Sequence, residues 1–573
     1  MSTRVHVIVW ALIVGGLAIG ASPAGAEVDP YQPAATMQPS QTFQVTAGGH
    51  PVFVERLPVE EGDLKYTGFP GDEDLNYHCA RFAMDGPAQI RITSSEGTGD
   101  YRLRPLSAGL ESTSDGSTVT FMLDRPRNLL FQVGTAWLYI FADPPETDAP
   151  RVDEAVPAEV RGDVPPFYID PNMNKIVNVA DYDVDPSGGE LCTRELQKAI
   201  IDAAVGPYPG GVVYVPKGVY KTGTLRFYSG VTLYLAEGAL LQGSKDPADY
   251  PLPFGVEGGS PNRDYGYDYA LLKIHNCENV VIRGRGTVDS GGPEHGRLKI
   301  CHVQNSRNVR VEDVVMRNTT GWMFPILDSQ DVRVRNVRLF SPITANTDGI
   351  NPDSSSNVTL DGNFIVSGDD SVAVKASRFG LRLRDEIRDI HVLNNVLLTM
   401  KSSLKIGTET QARLIHDIVF ENNDILMADR AFTIYLRDGA LVDRVVFRNN
   451  RVEMAGGLRN DNNRVIDLSI STRGDDIWRT PEFSYAEDHP GEVRYVLFEN
   501  IDISTEESRD DLEPSEVEGY DEAHMIRDVV FRNVRVNGEP ISDPGTMISV
   551  GDSGRKIPFM EVEAETTSGI VFE

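Results

Sequence analysis

Three acids in two short motifs carry the strongest chemical signal in this sequence. They are Asp348 in Asn346-Thr347-Asp348-Gly349-Ile350, and the adjacent pair Asp369-Asp370 in Ser367-Gly368-Asp369-Asp370-Ser371. Carboxylates held side by side repel, and the repulsion raises at least one pKa, so one group can stay protonated as an acid while another stays ionised as a base. Hydrolysis of a glycosidic bond uses that division: an acid protonates the leaving oxygen while a second carboxylate activates water or attacks the anomeric carbon. Asp, Asn and Gly are also turn formers, and a lone Asp-Gly reads as a turn. An acid pair leading into the strand-like Ser371-Val372-Ala373-Val374-Lys375, 21 residues after a third acid, is more than a turn requires.

For these acids to meet, the chain must return to one place from motif to motif, and a repeat supplies that return. A cassette of two polar residues followed by apolar alternation recurs as Glu278-Asn279-Val280-Val281-Ile282, Arg307-Asn308-Val309-Arg310-Val311, Gln330-Asp331-Val332-Arg333-Val334, Ser356-Asn357-Val358-Thr359-Leu360, Arg388-Asp389-Ile390-His391-Val392, His416-Asp417-Ile418-Val419-Phe420 and Asp443-Arg444-Val445-Val446-Phe447. It returns at Arg494-Tyr495-Val496 and Arg527-Asp528-Val529. The first seven copies lie about 23–32 residues apart, a period that signals stacked repeats. Each period holds two or three short strands joined by Gly, Asn, Asp or Ser turns, with no helical stripe between them. The expected fold is therefore all-β, a parallel β-helix whose coils stack around a continuous apolar interior. Neither a Leu-x-x-Leu-x-Leu frame nor a blade of about 40 residues is present, which argues against leucine-rich and propeller repeats. Residues 193–205 read as a helix capping the open first coil, with Thr193 as N-cap and Leu196, Ile200, Ile201 and Ala204 on one face.

The separation of Asp348 from Asp369 is about one coil, so both motifs are expected on one strand ladder, facing one side. If Val372, Val374, Leu404, Ile406, Phe432 and Ile434 point inward, alternation sends Ala373, Lys375, Ser403, Lys405, Thr433 and Tyr435 outward on the face that bears the acids. Lys375 and Lys405 would there bind an anionic sugar or neutralise the acid cluster. Tyr435 would offer a stacking or hydroxyl contact. Trp322 reads as a sugar platform or as a large residue covering the coil, and Glu409 as a groove contact at the end of its strand.

The chain has 573 residues, with 85 acidic against 54 basic side chains and a formal net charge of −31. So anionic a protein is repelled at long range by nucleic acid, which is not an expected partner. A 40% apolar, 24% charged composition with 52 Gly and 35 Pro is that of a folded, turn-rich protein. Residues 1–26 read as a cleavable export signal: Arg4 supplies the positive start, residues 7–21 the apolar run and Ala24-Gly25-Ala26 the small-x-small site, so the mature chain would begin at Glu27 and be secreted or periplasmic. No later segment reads as a membrane span. Residues 27–143 alternate in short apolar segments and suggest a small antiparallel β-sandwich. Residues 144–166, with six prolines and no periodicity, suggest a linker or strap, and residues 167–573 form the β-helix. Four cysteines are too few for a disulfide scaffold, although Cys277 and Cys301, about one coil apart, could bridge after export. The acidic stretch 506–522 reads as a solvated loop.

From about residue 210 to 450 the sequence resembles glycoside hydrolase family 28, the polygalacturonase family. The likeness rests on Gly211-Val212-Val213-Tyr214-Val215-Pro216, Gly284-Arg285-Gly286-Thr287-Val288-Asp289, Trp322, Asn346-Thr347-Asp348-Gly349 and Gly368-Asp369-Asp370. The resemblance implies a right-handed parallel β-helix and inverting hydrolysis, with Asp369 as general acid and Asp348 and Asp370 holding and deprotonating the water. Two motifs of that family are missing. Where Gly-His-Gly is expected the chain has Met400-Lys401-Ser402-Ser403 ahead of Leu404-Lys405-Ile406-Gly407-Thr408-Glu409, and where Arg-Ile-Lys is expected it has Thr433-Ile434-Tyr435, with Arg437 two residues on. In the family those groups tune the acid and hold the substrate carboxylate. A uronate site lacking them forgoes charge-assisted bonds of about 1.5–3 kcal/mol each. The N-terminal sandwich joined to a β-helix with an aspartate triplet also resembles family 49, the dextranases and isopullulanases, which makes an α-glucan a live substrate.

The candidate catalytic residues are thus Asp348, Asp369 and Asp370, and the candidate substrate contacts Asn346, Lys375, Ser402, Lys405, Glu409, Tyr435, Arg437 and Trp322. The expected partner is a polysaccharide or oligosaccharide, with the chain acting as a monomer. No His-Glu-x-x-His, phosphate-loop or Gly-x-Ser-x-Gly motif occurs, so no obligatory metal or cofactor is expected. Two other functions remain open: a polysaccharide lyase, which would use a base and a cation beside a uronate, and a non-catalytic carbohydrate-binding β-helix.

Overall fold

The structure is a computed structural model and describes residues 27–58, 76–153, 155–161, 165–171, 174–205, 210–250, 269–292, 297–342, 346–377, 386–456, 463–472 and 490–573. The export signal read at residues 1–26 lies outside the described residues. Within them no helix is long and apolar enough to cross a membrane.

Each central coil of the β-helix contains three strands. Gln330–Arg335, Arg338–Ser341 and Ile350–Asp353 make one coil, and Ser356–Asp361, Phe364–Ser367 and Val372–Ala376 make the next. Glu386–Leu393, Val396–Thr399 and Ser402–Thr410 follow. The first two strands of each coil belong to a 25-stranded sheet and the third to an 11-stranded sheet, and these strands pair in parallel from coil to coil.

A backbone corner explains the cassette. Its second residue is left-handed in all nine copies, with φ between 51° at Asn308 and 59° at Asn279. Asn and Asp tolerate this region better than other residues with a Cβ, and the Asn amides also donate along the stack, as in Asn308 Nδ2 to Asn279 Oδ1 at 2.6 Å. The apolar residues after each corner alternate into one contiguous core that includes Val309, Val311, Val332, Val334, Val358 and Leu360. Two side-chain ladders run through this interior. Asn363, Asn395, Asn423 and Asn450 are buried with each Nδ2 donating to the next Oδ1 at 2.9 Å, so no amide in the row forfeits its hydrogen bonds. Phe420, Phe447, Phe498, Phe531 and Phe572 stack at 4.6–4.9 Å between ring centroids.

The capping helix is Thr193–Ala204, with two differences from expectation. Cys192 is the N-cap residue, because the Thr193 hydroxyl oxygen instead accepts from the Gly223 N–H at 2.7 Å. The buried face is Leu196, Ala199, Ile200 and Ala203, while Ile201 is exposed.

The N-terminal segment forms a seven-stranded and a five-stranded sheet with an apolar core between them. It is not wholly antiparallel, since Ala136–Asp143 pairs in parallel with Asn76–Met84. The outer face of the larger sheet docks on the β-helix: Tyr77, Trp137, Tyr139 and Phe141 share a cluster with Phe340, Phe364, Val366, Leu398 and Met400. Buried ion pairs flank this contact. Arg338 reaches Asp143 at 2.5 Å, Arg317 reaches Glu55 at 2.9 Å and Asp289 at 2.7 Å, and Arg104 reaches Glu453 at 2.6 Å. The segment after Asp143 runs along the β-helix as a strap, with Pro144 O, Glu146 and Asp148 accepting from Arg285, Tyr234 and Arg283.

The acidic stretch 506–522 is more than a solvated loop. Ser515–Glu518 is a strand of the 11-stranded sheet, Leu512 is fully buried, and Glu507 pairs with Arg102 and Arg104 of the sandwich. All four cysteines are free buried thiols, so Cys277 and Cys301 do not bridge; the Cys277 thiol donates to the carbonyls of Phe227 and His275 instead.

Candidate active site

The three acids occupy one corner of consecutive coils, where the chain leaves the larger sheet for the smaller. Asp348 precedes Ile350–Asp353, and Asp369-Asp370 lies between Phe364–Ser367 and Val372–Ala376. Backbone bonds clamp the corner. Gly349 N–H donates to Asp370 O at 2.8 Å, Ile350 N–H to Ser371 O at 3.0 Å and Ser371 N–H to Ser402 O at 2.9 Å. The Asp-Gly dipeptide thus marks a close approach rather than a hairpin turn: a Cβ on Gly349 would sit 2.3 Å from Ser371 O and 2.5 Å from Ile365 Cγ2. Phe364 and Val366 pack under the sandwich, which steadies the strand that delivers the acid pair.

One oxygen from each of Asp348, Asp369 and Asp370 lies within 4.8 Å of the others. Asp348 and Asp370 are 2% and 3% exposed, whereas Asp369 keeps part of its surface open to solvent. Their partners differ. Asp370 accepts from the Lys405 ammonium at 2.7 Å on Oδ2 and from Ser402 N–H at 3.1 Å on Oδ1. Asp348 Oδ2 lies 3.2 Å from the Lys375 ammonium and accepts from Asn351 Nδ2 at 2.8 Å. Asp369 accepts the N–H groups of Asn346 at 2.9 Å and Asp370 at 3.0 Å.

These surroundings divide the acids. Burial pushes Asp348 up to about 7, with the Lys375 charge opposing and the Asp369 and Asp370 charges adding. Burial and the neighbouring Asp370 also raise Asp369. Asp370 goes the other way, because Lys405, Lys375 and Arg430 outweigh its burial and hold it below the usual carboxylate range. Three carboxylates this close are hard oxygen donors of the kind that suit a cation, but two ammonium groups already bond to them.

The predicted alternation holds. Val372, Val374, Leu404, Ile406, Phe432 and Ile434 enter the core, and Ala373, Lys405 and Thr433 stand in register on the opposite face. Lys375 and Lys405 both form ion pairs with acids of the cluster. Lys375 also pairs with Glu409 at 3.0 Å and lies 4.4 Å from the Trp322 ring centroid, so Trp322 and Glu409 belong to the same site. Glu409 reaches it through an irregularity: Val374 pairs with Ile406 but Ala376 pairs with Thr410, so two extra residues bow out of Ser402–Thr410. Gly407 permits this bow, since at φ 104° a Cβ would meet Tyr435 O at 2.1 Å. Ser402 and Asn346 contribute backbone N–H groups, and the Ser402 hydroxyl oxygen accepts from Arg430 Nε at 3.2 Å. Tyr435 and Arg437 stand one coil further on, the guanidinium 5.6 Å from the ring centroid, outside the hydrogen bonds of the acid cluster.

Sequence reasoning missed Asn351, Arg430 and Thr399. Thr399 donates its hydroxyl to Asp369 O. Register offers the only signal for the others: Arg430 pairs with Ser402 one coil later, and Asn351 stands beside Ala373's row, three residues after Asp348. A concavity of about 780 Å³ lies between sandwich, strap and β-helix, lined by Tyr31, Glu146, Tyr234 and Arg285, and does not include the acids.

Residues 214–450 match the model of glycosyl hydrolases family 28. The likeness is to that family. A probable polygalacturonase from Vitis vinifera is 29% identical over 215 residues, covering 35% of this chain and 44% of the relative. The chain spans about half the length of the first curated relatives it matches. The family 28 exopolygalacturonase of Yersinia enterocolitica superposes with a TM-score of 0.52 at 17% identity, covering 96% of this chain and 99% of that one. Dex49A from Penicillium minioluteum gives 0.59 at 11% identity, covering 95% and 96%. At such identities the likeness speaks for the fold alone. The family 28 segment contains the three aspartates, both lysines and the Thr433-Ile434-Tyr435 departure.

Proposed function

We propose that the protein is an exported polysaccharide hydrolase that cleaves glycosidic bonds with inversion. Asp369 protonates the leaving oxygen, and Asp370, assisted by Asp348, holds and deprotonates the attacking water. The observation that carries this reading is the meeting of three carboxyls with unequal proton affinities in one corner of the β-helix. Asp369 is partly open to solvent, as a group that must reach substrate needs to be, and its raised proton affinity suits an acid. Asp370, kept ionised by its cation, suits a base. The likeness to family 28 supports the same roles.

Elimination is less well supported than hydrolysis. A lyase needs a free base and a cation for the uronate carboxyl, whereas Lys375 and Lys405 are both tied to the site's own carboxylates. The acids lie closer than the roughly 6.5–9.5 Å of usual inverting pairs, so inversion rests on the family resemblance and is tested by proton NMR of the first anomer released. Thr433 and Tyr435 replace the family's cationic pair, so the polymer is identified by a reducing-sugar screen over homogalacturonan, rhamnogalacturonan, dextran and sulfated galactans. Cleavage of one polymer, abolished in an Asp369→Asn protein, is the expected result. Cleavage of none, or unchanged cleavage by that variant, overturns the proposal. Export is tested by N-terminal sequencing of secreted material, expected to begin at Glu27, and the monomeric state by light scattering.

A further inference from the structure

The three aspartates receive unequal shares of positive charge. Asp370 has an ammonium to itself, Lys405 at 2.7 Å. Asp348 shares Lys375 with Glu409, at 3.2 Å and 3.0 Å. Asp369 accepts two backbone N–H groups and, among the described residues, forms no ion pair. Resting on the hydrolase reading above, we propose that Lys405 is the positioning residue of the site, holding Asp370 as the ionised water-activating base and so leaving the cluster's proton to its two neighbours. It is a positioning cation rather than a contact for the substrate's anionic group.

The local sequence supports that assignment. Lys405 projects from Ser402–Thr410 between Ala373 on one neighbouring strand and Thr433 on the other, and neither brings a competing carboxylate. The Lys405 side chain is 10% exposed and its ammonium is bonded to Asp370, so little of it is left to face a ligand. Ser402, on the same strand, donates its N–H to the other Asp370 oxygen, so the strand grips both oxygens of one carboxylate. The charged groups facing Asp370 are Lys405, Lys375 and Arg430 as cations and Asp369 and Asp348 as acids; Arg430 is turned toward Ser402 and lies 3.9 Å from Asp467, and Lys375 is divided. Lys405 is thus the cation whose loss Asp370 would feel most.

The test uses the full-length protein with Lys405→Met, Lys405→Gln and Lys405→Arg. Carboxyl protonation is followed by infrared titration of protein labelled with ¹³C at the aspartate carboxyl, with Asp370→Asn assigning the band. The proposal expects Asp370 to titrate about 1–3 pH units higher in Lys405→Met and in Lys405→Gln, the usual effect of removing an adjacent opposite charge, and to stay in place in Lys405→Arg. On the polymer selected by the screen, the acid limb of kcat/KM should move by the same amount, with KM little changed. An Asp370 band that does not move in a folded Lys405→Met or Lys405→Gln protein overturns the proposal, as does a variant that loses substrate affinity while keeping the wild-type acid limb. Because the infrared titration needs no substrate, the two failures are distinguishable: cleavage of no polymer sinks the hydrolase reading, whereas an unmoved Asp370 band sinks the role of Lys405.

Discussion

Replacing Asp348 by Asn should make the protein more stable at alkaline pH and leave it unchanged in acid. Asp348 is 2% exposed, and its carboxyl is raised from 3.8 to about 7, chiefly by burial. A group that binds its proton more tightly when folded adds stability below its unfolded pKa, and that contribution is lost as pH rises through the folded value. At about 1.4 kcal/mol per pH unit of displacement, the wild type forfeits up to about 4 kcal/mol between about pH 4 and pH 7 on this one carboxyl. An Asn side chain of nearly the same shape carries no such charge. The substitution also does not strand a cation, because Lys375 keeps Glu409 at 3.0 Å, and an amide oxygen can still accept from Asn351. Asp353, raised to about 6 by burial, remains in both proteins and drops out of the difference, whereas Asp369, which interacts with Asp348, loses a like-charged neighbour in the variant and shifts the difference in the same sense. The measurement is the thermal midpoint of wild type and Asp348→Asn across that range, compared as midpoints because a chain with two packed units need not unfold in one step. A gap that opens in favour of the variant with rising pH is expected. A variant destabilised equally at both ends would refute the idea that function holds this carboxyl at a cost to the fold.

Asp369→Asn should lower kcat on a polymer by about 10²–10⁴-fold, and much less on an aryl glycoside whose leaving group needs no proton, whereas Asp370→Asn should be slow on both; equal behaviour of the two variants would contradict their assigned roles. Asp143→Asn removes the buried carboxylate that faces Arg338 at 2.5 Å and Arg285 at 3.3 Å, and stranding those cations should cost about 3–5 kcal/mol, read as a lowered thermal midpoint and faster proteolysis within residues 144–166. The Asp143 carboxyl is held low by Arg338, Arg285 and Arg81 against its burial, so its contribution is present at neutral pH and is lost as pH falls below the ordinary carboxylate range. Gly349→Ala drives a methyl group to 2.3 Å from Ser371 O and should separate Asp348 from the acid pair, giving a folded protein of much reduced activity, measured by circular dichroism beside the same assay.

What could be read from the sequence and what could not divide along a physical line. The repeat was legible because each coil repeats one local demand, a left-handed corner that Asn and Asp accept followed by alternating apolar residues, and the same demand recurs at Asn279, Asn308, Asp331, Asn357, Asp389 and Asp417. Register then followed from the repeat, which is why the inward and outward parity of Lys405 and Thr433 could be stated in advance. Contacts that depend on where two distant surfaces meet leave no such periodic trace. Nothing near Asp143 announces Arg338, 195 residues away, and Glu409 meets Lys375 only because two residues bow out of a strand at Gly407. The parallel pairing of Asn76–Met84 with Ala136–Asp143 is non-local in the same way, since alternation reads the same in either direction. At the site this has a consequence for function. The aspartates are set by the periodic part of the fold, but the cations that decide which of them holds a proton come from one strand later, and Arg430 from one later still. A chain can therefore keep the aspartate motifs of family 28 while changing the neighbours that tune them. The Thr433-Ile434-Tyr435 segment lies on the same strand as Arg430, so a change in that strand can alter the charge around the acids while the acid corner itself stays fixed.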